Sequence, residues 1–448
     1  MCSFIVSNIA LTKENKNLDY VNFYTSFRGP DLTTVRLFEN FYFLHNLLSI
    51  TGEFTEQPFI DYNNKIVCLY NGEIYNYDKE KYNSDGECLI DLYLENGISF
   101  VKDLDGEFAI VLFDFAKDLY YLVTDTFSTK PLWYSEEGGN FAAASYSTPI
   151  IRLGFEDAKK LKANTIRTSR ISTKELISED KVTIFNLSQY KNTFDDWNKA
   201  FTNAILKRAK GVREGVFIGL SSGYDSGAIC CELLYNNIPF TAYTLTGREN
   251  LDVLFKRSKL ITEKGNIHKI DTLFPEHFIE AHKHIEEKVE EFKYTIHSMS
   301  SDYNEYHLSL KDDNGSNGLS FISSLAKKDN NKIYLSGQGA DEIFSDYGFA
   351  GNKKYPHSNF GGLFPDNLSN IFPWPSFFES SMESYLAKEE HVSGSYGLEA
   401  RYPFLDKSVV QEFLWLSPKL KNLYYKSVLH NYLVKHSFPM SVNEKIGF

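Results

Sequence analysis

Val216-Phe217-Ile218-Gly219-Leu220-Ser221-Ser222-Gly223-Tyr224-Asp225-Ser226-Gly227 reads as a short apolar strand, a turn of small residues and the start of the apolar helix Ala228 to Tyr235. Such a turn aims backbone N–H groups at an anion, and the hydroxyls of Ser221, Ser222 and Ser226 add donors. The stretch therefore suits a pyrophosphate. Asp225 is a poor phosphate contact by itself, but its charge becomes useful as a magnesium ligand. A second strand, Ile333 to Leu335, runs into Ser336-Gly337-Gln338-Gly339-Ala340-Asp341-Glu342, again small residues followed by a carboxylate pair. Two such turns on a parallel sheet meet in the crevice where α/β folds bind ligands, which would let Asp225 and Asp341 share one magnesium ion.

Strand candidates recur at Thr241 to Leu245 and His268 to Ile270, with helical stretches between them, and Phe194, Trp197, Phe201 and Ile205 repeat at helical spacing. That alternation predicts a parallel sheet flanked by helices over 193–448. Glu276 to Glu291 reads as a charged helix with a solvated face. Gly348 to Ser380, rich in Phe, Pro and Asn, reads as a loop-rich insert. Upstream the rhythm differs. Over 1–150, Ile66 to Tyr70, Glu107 to Phe113 and Tyr120 to Thr124 read as strands separated by turns such as Asn71-Gly72 and Asp105-Gly106, with one helix from Gly86 to Glu95. Residues 151–192 read as a connector with strand fragments at Thr165 to Ser169 and Val182 to Phe185.

At 448 residues the chain exceeds one ordinary core, so two domains are expected. Its composition, 24% charged and 42% hydrophobic, fits a soluble enzyme, and no stretch approaches the roughly 18 apolar residues of a membrane span. A net charge of -12 argues against a broad nucleic-acid or anionic-membrane surface. The five cysteines form neither a disulfide framework nor a zinc pattern, and the N-terminus lacks the basic flank of a secretory signal, so a reducing cytoplasmic setting is expected. Cys230 and Cys231 lie in an apolar stretch and read as structural. Cys2 is different. Removal of Met1 would leave it with a thiol and a free α-amine of pKa about 8, a nucleophile and its base in one residue.

The residues carry a resemblance. Leu220 to Ser226 resembles the SGGxDS pyrophosphate loop of the N-type ATP pyrophosphatases, and Ser336 to Glu342 resembles the SGEGxDE segment of asparagine synthetases. Gly397-Leu398-Glu399-Ala400-Arg401-Tyr402-Pro403-Phe404-Leu405-Asp406 is similar to a third signature, GxEARxPFLD. Arg28-Gly29-Pro30-Asp31, Leu44-His45 with Leu48-Ser49-Ile50, Asn71-Gly72-Glu73-Ile74-Tyr75-Asn76 and Ser84-Asp85 resemble the class II glutamine amidotransferase domain of the same enzymes. Lys445-Ile446-Gly447-Phe448 resembles a further family stretch. The resemblance implies an α+β, Ntn-hydrolase-like domain of stacked antiparallel sheets with helices, then an α/β domain with a parallel sheet of the adenine nucleotide α-hydrolase-like kind.

It also implies roles. Cys2 would attack the side-chain amide of glutamine, its α-amine moving the proton. Asn71 and Gly72 would form the oxyanion hole, and Glu73 and Asp85 would hold glutamine's ammonium group. The released ammonia would travel to the second domain, where Leu220, Ser221, Ser222, Gly223, Asp225, Ser226, Ser336 and Gly337 would bind ATP, with magnesium on Asp225 and Asp341. A small carboxylate, aspartate or another acid, would become an acyl-adenylate and then accept ammonia. Lys426 would sit near the α-phosphate and the acyl transition state. Nucleic acid and membrane are excluded as partners, and a homodimer is allowed.

Three positions depart from the family pattern. Leu47 stands where an arginine grips glutamine's α-carboxylate, with Arg28 and Arg36 as neighbouring replacements. Ser222 replaces a loop glycine. Gln338 replaces the glutamate of SGEG, removing a charge near the acyl acceptor, which weakens the case for aspartate. Two other readings stay open: an adenylating ligase or cyclase of the β-lactam synthetase type with a vestigial glutaminase domain, and a non-catalytic nucleotide-binding protein.

Overall fold

Alternation along the strand Ser3–Ser7 sets the layering of the N-terminal unit: Phe4 and Val6 join one apolar cluster, Ile5 another. The computed structural model describes residues 2–11, 17–247, 249–272, 274–297 and 305–442, so the Lys445 to Phe448 stretch lies outside the described residues. The chain forms two compact units, residues 1–184 with 288–290 and 394–397, and residues 185–287 with 291–393 and 398–448.

In the first unit, one antiparallel sheet runs in the order Lys159–Lys160, Trp133–Glu137, Asn140–Ala144, Ser3–Ser7, Phe41–Leu47, Leu32–Phe38. The second runs Leu176–Asp180, Ile166–Arg170, Leu119–Thr124, Gly106–Asp114, Ile66–Ile74, Phe59–Asp61. Phe4, Val6 and Phe43 of one pack with Val67, Leu69 and Phe113 of the other, so the sheets face each other. Helices cover the outer faces: Leu89 and Tyr93 of Cys88–Asn96 pack on Cys68 and Tyr70, and Ile150 of Ser147–Arg152 packs with Ile5 and Leu44. The expected stack of antiparallel sheets with helices is what the chain forms.

One expected strand does not form. The fragment read at Thr165 to Ser169 is the strand Ile166–Arg170, which pairs with Leu176–Asp180 and Leu119–Thr124, but Val182 to Phe185 is not in a strand. The side-chain amide of Asn164 explains why: it donates to Thr183 O at 2.9 Å and accepts from Thr183 N at 2.7 Å, taking the groups a ladder needs.

The second unit holds a five-stranded sheet in the order Ile267–Thr272, Thr241–Thr246, Gly215–Gly219, Asn331–Leu335, Glu399–Arg401, parallel at every pairing. In chain order these strands read 3-2-1-4-5. The order therefore reverses between Gly215–Gly219 and Asn331–Leu335, the switch point at which α/β sheets open a crevice beyond their strand ends. Both small-residue turns leave the sheet there. The charged tract forms the helix Pro275–Lys288, whose buried residues are Ala281 and Ile285. The insert stays loop-rich, with buried Phe364, Leu368, Trp374 and Phe377 holding it down, and Trp374 Nε1 donates to Glu342 O at 2.8 Å. Cys230 and Cys231 are buried. No helix among the described residues is long and apolar enough to cross a membrane.

Candidate active sites

In the first unit, Cys2 stands half-buried just before the strand Ser3–Ser7, and its Sγ accepts from Leu48 N at 3.4 Å. The buried Arg28 fixes its main chain: Nε donates to Cys2 O at 3.2 Å and Nη1 to Tyr146 Oη at 2.8 Å. Asn71 follows Val67 and Leu69 at the same parity, which turns its side chain toward the sheet that Cys2 enters. It is fully buried, and neither its Oδ1 nor its Nδ2 has a hydrogen-bond partner. Leaving a buried amide unmade costs about 1–3 kcal/mol, a cost that a bound oxyanion would relieve. Gly72 next to it has φ +150°, and a Cβ there would fall 1.9 Å from Glu107 O, so only glycine fits. Glu73 and Asp85 are both buried, and Asp85 Oδ2 accepts from Tyr70 Oη at 2.6 Å and Ile74 N at 2.8 Å.

In the second unit the two turns meet as read. A Cβ on Gly337 would lie 3.1 Å from Asp225 Cβ. Lys426 Nζ reaches both carboxylates, Asp225 at 2.7 Å and Asp341 at 2.8 Å, and Tyr425 Oη donates to Asp341 at 2.9 Å. Burial disfavours the Lys426 charge, but Asp225 and Asp341 outweigh it and hold its pKa above the ordinary lysine value. Its backbone is left-handed at φ +48°, an unusual state for a residue with a side chain. Within the loop, Ser226 Oγ accepts from Ser221 N at 3.0 Å, and Ser221 Oγ accepts from Gly223 N at 3.1 Å.

The third signature forms a buried charge lattice. Arg401 Nε donates to Glu399 at 2.7 Å and its Nη1 to Arg208 O at 2.8 Å, while Asp406 accepts from Arg208 Nη1 at 2.8 Å and pairs with Lys207. Burial alone would raise the Asp406 pKa, but Arg208 and Lys207 hold it down to about 2. Asp406→Asn is expected to lower unfolding free energy by about 3–5 kcal/mol at neutral pH, because it strands buried cations. The stabilisation is complete above the ordinary carboxylate value of 3.8 and is lost as pH falls through about 2. Denaturant titration checks this, and an unchanged midpoint in the variant would contradict it.

Residues 1–190 match the family model for the glutamine amidotransferase domain. The chain is 26% identical over 427 residues to the putative asparagine synthetase [glutamine-hydrolyzing] 1 of Methanocaldococcus jannaschii, covering 88% of this chain and 72% of that one. The asparagine synthetase [glutamine-hydrolyzing] of Rattus norvegicus is 24% identical over 458 residues, covering 92% and 76%. The chain is a homologue of the glutamine-hydrolysing asparagine synthetases. Among solved structures it aligns with the glutamine phosphoribosylpyrophosphate amidotransferase of B. subtilis at 14% identity and TM-score 0.32, over 49% of this chain and 60% of that one.

As an asparagine synthetase homologue, the chain accommodates its three departures locally. Leu47 is buried at its strand end; Arg28 is engaged with Cys2 and Tyr146, and Arg36 pairs with Glu56 at 3.3 Å on the surface. Ser222 needs no left-handed backbone, and both its N (2.6 Å) and its Oγ donate to Glu249 Oε2. Gln338 Nε2 donates to Glu389 Oε1 at 3.3 Å.

Three residues at the second site escape the sequence reading. Arg257 Nη1 donates to Ser221 O at 2.6 Å and Gly223 O at 3.0 Å, and burial pulls its pKa down to about 10. Its signal was an arginine within the apolar stripe Val253, Leu254 and Ile261. Glu249, on the loop, and Glu389, within a charged stretch of helix, carry no comparable signal.

Proposed function

We propose that the chain is an ATP-dependent amide ligase that draws nitrogen from glutamine. Convergence of Asp225 and Asp341 on Lys426 Nζ, at the sheet's switch point beside the small-residue loop, carries this reading. Two acidic groups and a cation placed together suit the phosphates of ATP and the charge of an acyl transfer better than a purely structural crevice would. The loop bearing Ser221, Ser222, Gly223 and Ser226, with Leu220, Ser336 and Gly337 beside it, holds the ATP phosphates, and Lys426 faces the α-phosphate. A carboxylate oxygen attacks that phosphorus, pyrophosphate leaves, and ammonia then displaces AMP from the acyl carbon. Aspartate is the first acceptor to test, since the relatives are named for asparagine.

Asp225 and Asp341 fit a magnesium ion, because they already converge on one cation and magnesium takes one or two carboxylates plus water and phosphate oxygens. Among the described residues, no group of three or more His, Cys, Asp or Glu side chains is placed to hold a metal, so the phosphates complete the shell. Magnesium supplies neutralisation of the pyrophosphate charge.

In the first unit, Cys2 Sγ attacks the glutamine amide, the α-amine exposed by Met1 removal carries the proton, Asn71 and Gly72 stabilise the oxyanion, and Glu73 and Asp85 hold the ammonium group. Asn71→Ala is expected to lower glutaminase kcat about 10²–10³-fold with little loss of stability, since the amide has no partner to lose. Steady-state kinetics beside thermal melting checks this; an unchanged kcat would reject the oxyanion role. Free thiols at Cys68, Cys88, Cys230 and Cys231 support a cytoplasmic location. The ligase reading is tested by ATP–pyrophosphate exchange with magnesium and a carboxylate panel that includes aspartate. Exchange with at least one acid is expected, whereas ADP formation without exchange would reject adenylation.

A further inference from the structure

Gln338 removes the carboxylate that the family pattern places in the second turn, but a carboxylate stands directly behind it. Glu389, from the helix Ser381–Gly394, is buried with its Oε1 3.3 Å from Gln338 Nε2 and 3.5 Å from Tyr334 Oη, while its Oε2 is buried with no hydrogen-bond partner. Gln338 is half-buried beside Gly337, which abuts Asp225, and its side-chain amide reaches this hidden acid. Its backbone is fixed as well, Gln338 N donating to Ser336 Oγ at 3.0 Å.

We propose that Glu389 is a positioning residue that holds the Gln338 amide with its NH₂ group turned into the fold and its carbonyl oxygen turned to the crevice, where that oxygen takes an N–H of the nitrogen nucleophile. The role rests on the ligase reading above. In the step concerned, the nitrogen lone pair bonds to the acyl carbon, the bond from that carbon to the AMP oxygen breaks with its electrons leaving on AMP, and the nitrogen sheds a proton to solvent. An acceptor oxygen on the nucleophile's N–H aims the lone pair at the carbonyl.

The groups facing Glu389 are Tyr334 from the strand, Ser336 and Gln338 from the turn, and Lys388 and Glu390 from its own helix. Burial pushes its pKa up to about 7 against the pull of Ser336, Lys388 and Gln338. Above that value the carboxylate can only accept, which fixes the Gln338 amide; below it the acid donates, and the amide turns its oxygen inward.

The test uses the full chain with ATP, magnesium, L-aspartate or whichever acid of the panel supports pyrophosphate exchange, and ammonium chloride, which bypasses glutamine hydrolysis. Pyrophosphate exchange and amide formation are followed across about pH 6 to 9, spanning the titration. Glu389→Gln is expected to keep exchange but slow amide formation about tenfold, the size of one charge-assisted hydrogen bond, and to erase the wild-type limb near pH 7. Gln338→Met, at a half-exposed position, is expected to give the same split even if Glu389→Gln folds poorly. Equal loss of both activities, or a limb that survives in Glu389→Gln, would overturn the positioning role. Absence of exchange in the wild-type chain would instead overturn the ligase reading on which it rests.

Discussion

Cys2→Ala is expected to lower glutamate release from glutamine by about four orders of magnitude, while ammonia-driven amide formation stays near wild type. The size follows from the chemistry: a methyl group supplies neither the nucleophile nor the covalent intermediate that splits amide hydrolysis into two easier steps. The surroundings are already arranged for that chemistry. Leu48 N points at Sγ from 3.4 Å, Arg28 holds Cys2 O at 3.2 Å, and the buried Asn71 amide waits without a partner. A mass spectrum of the purified chain accompanies the assay, because the α-amine acts only after Met1 is removed. Equal release by wild type and variant would end the glutaminase reading.

Asp225→Asn and Asp341→Asn are each expected to lower pyrophosphate exchange about 10²–10³-fold and to spare glutamine hydrolysis. Each carboxylate lies within 2.8 Å of Lys426 Nζ, so neutralising one removes both a proposed magnesium ligand and one of the two carboxylates that keep this lysine charged. Lys426→Met removes the cation instead. It leaves Asp225 and Asp341 facing each other without a cation, which should cost about 3–5 kcal/mol of stability as well as activity. Unimpaired exchange in both aspartate variants would reject the shared cation site.

What was legible in the sequence was whatever a local pattern determines. Val216 to Gly227 announced a strand, a turn and a helix, and the structure puts that turn at the reversal of strand order. Cys2 and Asp225 stand out as candidates through their immediate neighbours, and Asn71 through the family resemblance. The strand expected at Val182 to Phe185 failed for a local reason, since a single side chain, Asn164, captured the backbone of Thr183. Glu389 and Glu249 were illegible because their meaning is tertiary. Each reaches its partner across dozens of residues, Glu389 to Gln338 and Glu249 to Ser222. The GxEARxPFLD signature was legible as a pattern but not as a function: its charges turn inward, onto Arg208 and Lys207.

In the proposed reaction, glutamine nitrogen reaches an ATP-activated carboxylate. The most direct measurement supplies glutamine labelled with ¹⁵N in its side-chain amide, together with ATP, magnesium and L-aspartate or the acid that supports pyrophosphate exchange, and follows the label and the nucleotide products. The expected result is ¹⁵N in a new amide, with one AMP and one pyrophosphate formed per amide and no label transfer by Cys2→Ala. Formation of ADP and phosphate, or AMP release with the label remaining in glutamine, would contradict it.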